Sequence, residues 1–382
     1  MIKQYEKKDG TKAWLFKAYL GIDETTGKKI WTTRRGFATK KECQIAQNRL
    51  MVDVEENGFR KKTGETFEEM YKLWFEQYKR TVKESTWCKT AELFRLHILP
   101  KFCKFKLDKI KVPMCQQAIN EWFVSFPGGY VKLKNYTANV LDYAISLEVI
   151  DQNPMKKIKI PQRKDDFEEE KDLNFYSKQE LKDFLSAMKE LPEKTAFVFF
   201  HLLAYTGMRK GEALALTWAD INFKENTLSI NKTLTRGNNA RLIVLPPKTR
   251  KSARTISLDP FTIGLLKQWR SQQKIDYMKF GFNTLKPDQL VFANQSNEWI
   301  QPTRPRKWLL QVYKAHPDMK QITTHGLRHT HCSLLFEAGA SIKEVQDRLG
   351  HTDVKITMNI YAHVTQQRKE ETALRFADFM GH

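Results

Sequence analysis

Five short segments in the second half of the chain carry side chains that together could move a phosphoryl group. "AYTGMRKGEALAL" presents Arg209 with Glu212 three residues on, and "PPKTRKSARTI" presents Lys248. "HGLRH" holds His325 and Arg328, "LGH" ends on His351, and "NIYAHV" places Tyr361. Two guanidinium groups can neutralise the non-bridging oxygens of a phosphodiester through bidentate bonds. Fixed positive charge of that kind does most of the work in stabilising such a transition state. A tyrosine hydroxyl can act as a covalent nucleophile, and a lysine or histidine can move protons on and off the bridging oxygens. These are the parts for phosphoryl transfer without a metal ion.

Taken singly, each segment has a plainer reading. Arg209 and Glu212 suit an ordinary ion pair one helical turn apart. Lys248, in a turn between two predicted strands, suits a solvated lysine. Tyr361, in an amphipathic stretch, suits a half-buried packing residue. His325, His329, His331 and Cys332 in "HGLRHTHC" are the one group of metal-ligand types. Zinc, however, needs three or four convergent ligands, and Arg328 would repel a cation, so no metal is assigned. The sequence also lacks a phosphate-cradling P-loop, G-x-S-x-G, H-E-x-x-H and a Gly-rich dinucleotide turn. No cofactor is expected.

The bulk properties agree with a polyanionic partner. Sixty-five Lys and Arg against 44 Asp and Glu give the 382-residue chain a formal charge of +21. Nucleic acid is the commonest partner for a chain so basic. No apolar run reaches the ~20 residues that cross a bilayer, and "MIKQYEKKDGTK" lacks the apolar core of a signal peptide. A soluble, cytoplasmic protein with no membrane partner is expected. The five cysteines, at 43, 88, 103, 115 and 332, form no C-x-x-C pair and suit reduced thiols. With 41% hydrophobic and 12% aromatic residues, the chain can bury two or three cores.

Those residues need a scaffold, and the chain divides by pattern. "KAWLFKAYLGI" and "KKIWTTRRGF" alternate in part and flank the turn "DETTGKK", which predicts a hairpin. "TKKECQIAQNRLMVDVEENG" then reads as a helix with its N-cap at Thr39 and a stop at Gly58, and "FRKKTGE" as a linker. Residues 66 to about 160 show four helical runs punctuated by Pro100, Pro113 and "PGG" at 127–129. They suit either a bundle lying against a duplex or a plain packing domain. "DQNPMKKIKIPQRKDDFEEEKDL" has no periodicity and is a connector. Beyond Phe175, Ser177 and Glu180 form a predicted capping box, and "AFVFFHLLAYTG" is apolar enough for a buried helix. "NTLSINKTLT", "ARLIVLPPK" and "ARTISL" read as strands, and the remainder is mostly helix.

The order of the reactive segments, Arg in "TGMRKGE", Lys in "PPKTRK", "HGLRH", "LGH" and then "IY", resembles the tyrosine recombinases, the integrases of temperate phages and conjugative transposons. The resemblance covers the whole chain. It implies a multidomain, mainly α protein with small β-sheets: an arm-type DNA-binding domain at 1–62 with a three-stranded sheet plus helix, and a helical core-binding (SAM-like) bundle at 63–162. A linker at 163–174 and a mixed α+β catalytic domain at 175–382 complete it. By the same resemblance Tyr361 is the nucleophile, Arg209 and Arg328 clamp the scissile phosphate, and Lys248 protonates the leaving 5′ oxygen. His325 accepts a proton, His351 bonds a phosphate oxygen, and Glu212 buttresses the site.

The implied product is a 3′-phosphotyrosyl DNA and a free 5′ hydroxyl, which conserves the bond energy and removes any need for ATP or metal. The implied partners are double-stranded DNA at core and arm attachment sites, three further protomers in a homotetramer, an excisionase and a host DNA-bending protein. The implied setting is the nucleoid of a bacterial host. One departure stands out: Tyr361 follows His351 by ten positions, where many relatives have nine. It reads as a one-residue loop change. In the first 62 residues, 15 Lys and Arg face 8 Asp and Glu, and Trp14, Lys17, Trp31, Arg34 and Arg35 are the DNA-contact candidates.

Three other classes compete. A type IB topoisomerase shares the chemistry, but the arm-like module and the short C-terminal domain favour recombination. A resolvase of DNA dimers or plasmids would normally lack the first 60 residues. A non-enzymatic DNA-binding protein accounts for the charge but not for five reactive segments in this order.

Overall fold

The computed structural model describes residues 2–7, 9–22, 27–57, 65–162, 174–247, 252–350, Met358 and 380–381. Lys248, His351 and Tyr361 therefore lie outside the described residues, as do most of the turn "DETTGKK", the stop at Gly58, both predicted linkers in large part, and most of the tail after Tyr361. The chain forms two compact units, one of residues 1–81 and 91–162, the other of residues 82–90 and 163–382.

In the first unit, β1 (Ile2–Glu6), β2 (Lys12–Ile22) and β3 (Lys29–Phe37) form an antiparallel sheet in that order. Alternation along β2 buries Phe16, Ala18 and Leu20 on one face, the period-2 pattern of a half-buried strand. Helix α1 (Lys40–Asn57) covers that face with Cys43, Ala46 and Leu50. Thr39 caps it as predicted, its hydroxyl accepting from the Glu42 N–H at 3.1 Å.

The helical runs of the first unit are α2 (Phe67–Thr81), α3 (Glu84–Leu93), α4 (Leu99–Phe102), α5 (Val112–Ser125) and α6 (Tyr130–Ser146). Of α3, only the end beyond Thr90 belongs here. Phe67, Met70, Trp74 and Phe75 place one apolar stripe of α2 in the core, and Tyr71 stacks on Phe94 at 4.2 Å. The second of the four helical runs, "TWCKTAELFRLHILPKF", is interrupted by a π-turn at Phe94–Ile98. There the Leu99 N–H reaches back to Phe94 O, and Pro100, next in line, has no N–H to continue an α-ladder.

The second unit opens with α7 (Lys178–Glu190), where the Ser177–Glu180 capping box forms in both directions. Helix α8 (Lys194–Thr206) is apolar nearly all round and sits in the core with Phe199, Phe200 and Leu203 fully buried. It stops at Gly207, whose φ of 62° is the left-handed conformation that favours glycine. Short α9 (Lys210–Leu214) leads to β4 (Ile221–Asn222), β5 (Thr227–Ile230), β6 (Thr233–Arg236), β7 (Leu242–Leu245) and β8 (Arg254–Ser257). Strands β4, β5 and β8 form one sheet, while β6 and β7 form a separate hairpin.

"NTLSINKTLT" is thus two strands in two sheets and not one. Lys232 explains the break: its ammonium turns to the buried Asp220 at 2.7 Å, which takes the chain out of the first sheet. Helices α10 (Pro260–Met278), α11 (Arg304–Ala315), α12 (Gly326–Glu337) and α13 (Ile342–Leu349) complete the unit. Among the described residues, no helix is long and apolar enough to cross a membrane.

Candidate active site

Glu212 organises one side of the site. Arg209 is the N-cap of α9, with φ −74° and ψ 148°, so the pair is a helix cap and not the helical-turn contact that the spacing predicts. The Glu212 carboxylate accepts from the Arg209 backbone N–H at 2.9 Å and from its Nη1 at 2.8 Å. A second arginine, Arg254 of β8, donates to the same carboxylate at 3.0 Å. Burial alone would raise the Glu212 pKa. The Arg254 charge and hydrogen bond, with the bonds and charge of Arg209, outweigh it and hold the carboxyl below its usual range. Arg209 keeps 41% of its side chain exposed while Glu212 and Arg254 keep 7% and 6%. The exposed guanidinium is the one aimed outward.

Arg328 sits at the bottom. Its Nη1 donates to Gly207 O and its Nη2 to Leu349 O, both at 2.7 Å. Those carbonyls belong to the C-cap of α8 and the last residue of α13. The negative ends of two helix dipoles therefore converge on one buried cation. Burial first, then the charges of Arg209 and Arg254, push its pKa down to about 9, which still leaves it charged at neutral pH.

The packing around it is tight. A Cβ on Gly207 would stand 2.4 Å from Leu349 Cδ2, and one on Gly350, where φ is 65°, would stand 3.1 Å from Arg254 Cδ. Only glycine lets the two helix ends meet this closely.

His325 caps α12 and is exposed, whereas Arg328, three residues on, points inward. The two differ in burial: His325 stands at the rim and Arg328 at the floor. The His325 pKa is pushed down to about 4, by desolvation of its inner side first and then by the charges of His329, Arg328 and Arg209. A neutral imidazole at physiological pH can accept a proton. His329 stands edge-on to it, with ring centroids 4.9 Å apart.

His331 turns elsewhere. Its Nδ1 lies 2.8 Å from Ala204 O, so Nδ1 donates, and Nε2 accepts from Arg348 Nε at 3.1 Å. Arg348 also donates to Ser257 O and Tyr205 O, which ties α13 to α8 and β8. Among the described residues, no group of three or more His, Cys, Asp and Glu side chains could hold a metal.

Of the predicted set, Arg209, Glu212, His325 and Arg328 come together. Arg254 and Arg348 were missed. Arg254 sits in "ARTISL", where its alternation with Thr255 and Ile256 looks like any strand, and Arg348 in "DRLGH" looks like a C-terminal helix charge.

In the first unit, the candidates separate by face. Lys17, Trp31 and Arg35 lie on the sheet face away from α1: Lys17 stands 5.3 Å over the Trp31 ring, Tyr19 packs on Trp31 at 5.2 Å, and Arg35 pairs with Leu15. Trp31 is 54% exposed. Trp14 instead packs against the core, with Lys40 over its ring. Arg34 pairs with core residue Phe16 and is exposed along the edge strand. Trp14 has the parity of Phe16, Ala18 and Leu20, so the alternation of β2 turns it to the same side.

Comparison with known proteins agrees with this geometry. The Phage integrase family matches residues 174–368, the phage integrase N-terminal SAM-like domain residues 66–123, and an arm DNA-binding domain residues 1–50. The ICEBs1 integrase of Bacillus subtilis (strain 168) is 25% identical over 365 residues, covering 94% of this chain and 95% of its own. The Tn1549 transposon integrase, solved in complex with transposon right end DNA, superposes with a TM-score of 0.66 at 20% identity, over 82% of this chain and 100% of that one. A lambda integrase tetramer bound to a Holliday junction gives 0.58 at 16% identity, over 94% of each chain. With the family covering more than half of the sequence, and the paired arginines assembled beside an exposed neutral histidine, the chain belongs to the phage integrase family, the tyrosine recombinases that break and rejoin DNA.

Proposed function

We propose that this recombinase integrates and excises a mobile element or prophage through a 3′-phosphotyrosyl intermediate formed by Tyr361. The observation that carries the reading is the arrangement of the two arginines, one exposed and braced by Glu212, the other buried on two helix ends. A phosphodiester placed above them meets a charged floor and an exposed clamp. The Tyr361 oxygen attacks phosphorus, the P–O5′ bond breaks, and Lys248 gives its proton to the leaving 5′ oxygen. Neutral His325 accepts the tyrosine proton, and His351 bonds a non-bridging oxygen. No metal and no ATP enter these steps. Rejoining reverses them with a different 5′ hydroxyl.

Recombination pairs two duplexes and four cuts, so a homotetramer on DNA is the working form. The tail "QQRKEETALRFADFM", with Leu374, Phe376 and Phe379, supplies apolar surface for packing on a neighbouring protomer. Lys17, Trp31 and Arg35 serve arm sites, and an excisionase and a host bending protein set the direction. Tyr361→Phe tests the core of the reading. On a nicked suicide duplex, binding should persist in a gel shift while the covalent adduct vanishes from a denaturing gel. An adduct retained by the Phe variant sinks the assignment.

A further inference from the structure

The hairpin that leads to Lys248 is gripped by two consecutive side chains. Lys83 Nζ donates to Pro246 O at 3.1 Å and Pro247 O at 3.3 Å, the two carbonyls just before Lys248. At the other end, Glu84 Oε1 accepts from the Asn238 N–H at 2.8 Å, and Oε2 from Arg241 Nη2 at 2.9 Å. The Arg241 hydrogen bond first, then the Asn238 N–H, hold the Glu84 carboxyl below its usual range. The contact is close-fitting, since Glu84 Oε1 lies 2.5 Å from where a Cβ on Gly237 would stand.

Both grips come from a rigid mount. Lys83 O accepts from the Thr86 and Trp87 N–H groups and so starts α3, and residues 82–90 belong to the same compact unit as the hairpin. The hairpin itself needs such support. Among the described residues it has two strands and shares no ladder with β5 or β8, and a two-stranded ribbon is marginal alone. Its inner contact is with α9, where a Cβ on Gly211 would meet Thr233 Oγ1 at 2.6 Å and Leu234 O at 2.7 Å. Past Leu245, the two prolines can donate nothing to a ladder, and their carbonyls go to Lys83.

We propose that Lys83 and Glu84 are positioning residues for Lys248. Glu84 clamps the turn of the hairpin and Lys83 its exit at Pro246 and Pro247, so that the backbone leading into Lys248 is held at both ends of the hairpin. The proposal rests on reading Lys248 as the proton donor. Exposed polar contacts of this kind contribute little to stability. A misplacement of ~1 Å near reacting atoms, in contrast, costs about 100-fold in rate. The signature is therefore kinetic, with folding left intact.

The test uses the full chain and two suicide duplexes, one ordinary and one with sulfur replacing the bridging 5′ oxygen at the scissile position. In the second, the P–S bond breaks and a thiolate, of ordinary pKa about 8.5, leaves without needing a proton. Lys83→Met should cut the ordinary duplex about 10- to 100-fold more slowly and should cut the sulfur duplex at close to the unsubstituted rate. Lys83→Arg, which still reaches both carbonyls, should restore most of the ordinary rate. Lys83→Met combined with Lys248→Ala should be no slower than Lys248→Ala alone.

An equal loss on both duplexes, or no loss on the ordinary one, overturns the proposal. If sulfur rescues Lys248→Ala but not Lys83→Met, the anchoring alone is wrong. If sulfur fails to rescue Lys248→Ala, the role of Lys248 is wrong and the anchoring falls with it.

Discussion

Arg328 and Arg35 are arginines of the same strongly basic chain, yet one lies at the floor of the cleft with its guanidinium bonded to two helix-end carbonyls and the other stands on the open face of a sheet. In the cleft, each cation has a fixed geometry: Arg254 and Arg209 share Glu212, and Arg348 spans three elements. On the arm sheet, Lys17 stands over the Trp31 ring, and Trp31 and Arg35 are exposed on the same face. The difference separates two uses of positive charge. Held charge stabilises a transition state; loose charge attracts a polyanion and is screened by salt.

The sharpest way to break that contrast is Arg328→Lys. Lysine keeps a charge but loses the planar fork that joins two carbonyls. Suicide-substrate cleavage should fall about 100- to 1,000-fold, as for loss of a preorganised donor, with duplex binding nearly unchanged. A variant that cleaved normally would mean that charge, not geometry, does the work at the floor.

A second measurement separates the regions by pH. The His331 pKa is pushed down from 6.5 to about 3 by burial first and by the Arg348 charge. Above pH 6.5 the ring is neutral in folded and unfolded chains, and its contribution to stability is complete. As pH falls below 6.5, the unfolded chain takes up a proton that the folded chain refuses, so stability is lost steadily down to about pH 3. The slope for one proton is about 1.4 kcal/mol per pH unit. Hydrogen exchange, corrected for its own pH dependence, should show α8 and α12 amides losing protection between pH 7 and pH 5. The arm sheet should hold, because residues 1–62 contain no histidine. Equal loss in both regions would erase the distinction.

The smallest effect belongs to the arm. Arg35→Ala should weaken arm-site binding only a few-fold and lower the salt slope by about 1. Core cleavage should be untouched. Trp14→Ala, in contrast, should destabilise the sheet, because its ring packs in the core; a pure binding defect without lost stability would contradict that placement.

Much of this was legible in the sequence because local rules decide it. The Ser177–Glu180 box, the Thr39 cap, the Gly207 stop and the 12–22 strand depend on neighbours in the chain. Arg209, Glu212, His325 and Arg328 were legible because they stand in short motifs. What escaped was set by distance. Nothing near Arg254 says that Glu212, 42 residues away, needs it, and nothing in "INK" says that Asp220 will pull Lys232 out of a strand. Trp14 shares the parity of Phe16, Ala18 and Leu20, so its core side was legible in the strand, and its aromatic type beside basic residues drew the contact reading instead.

The meeting of two helix ends at Arg328 also has a consequence for how the protein is made. Gly207 precedes Arg328 by 121 residues and Leu349 follows it by 21. On the ribosome, α8 can form early, but its terminal carbonyl waits for a partner translated far later. Arg328 in turn has half its shelter missing until α13 has emerged. The floor of the cleft closes late in synthesis, so a nascent chain carries Arg209 and Glu212 long before it can hold a phosphate between two arginines. Order of translation thereby leaves Arg328 fully sheltered only once α13 has emerged.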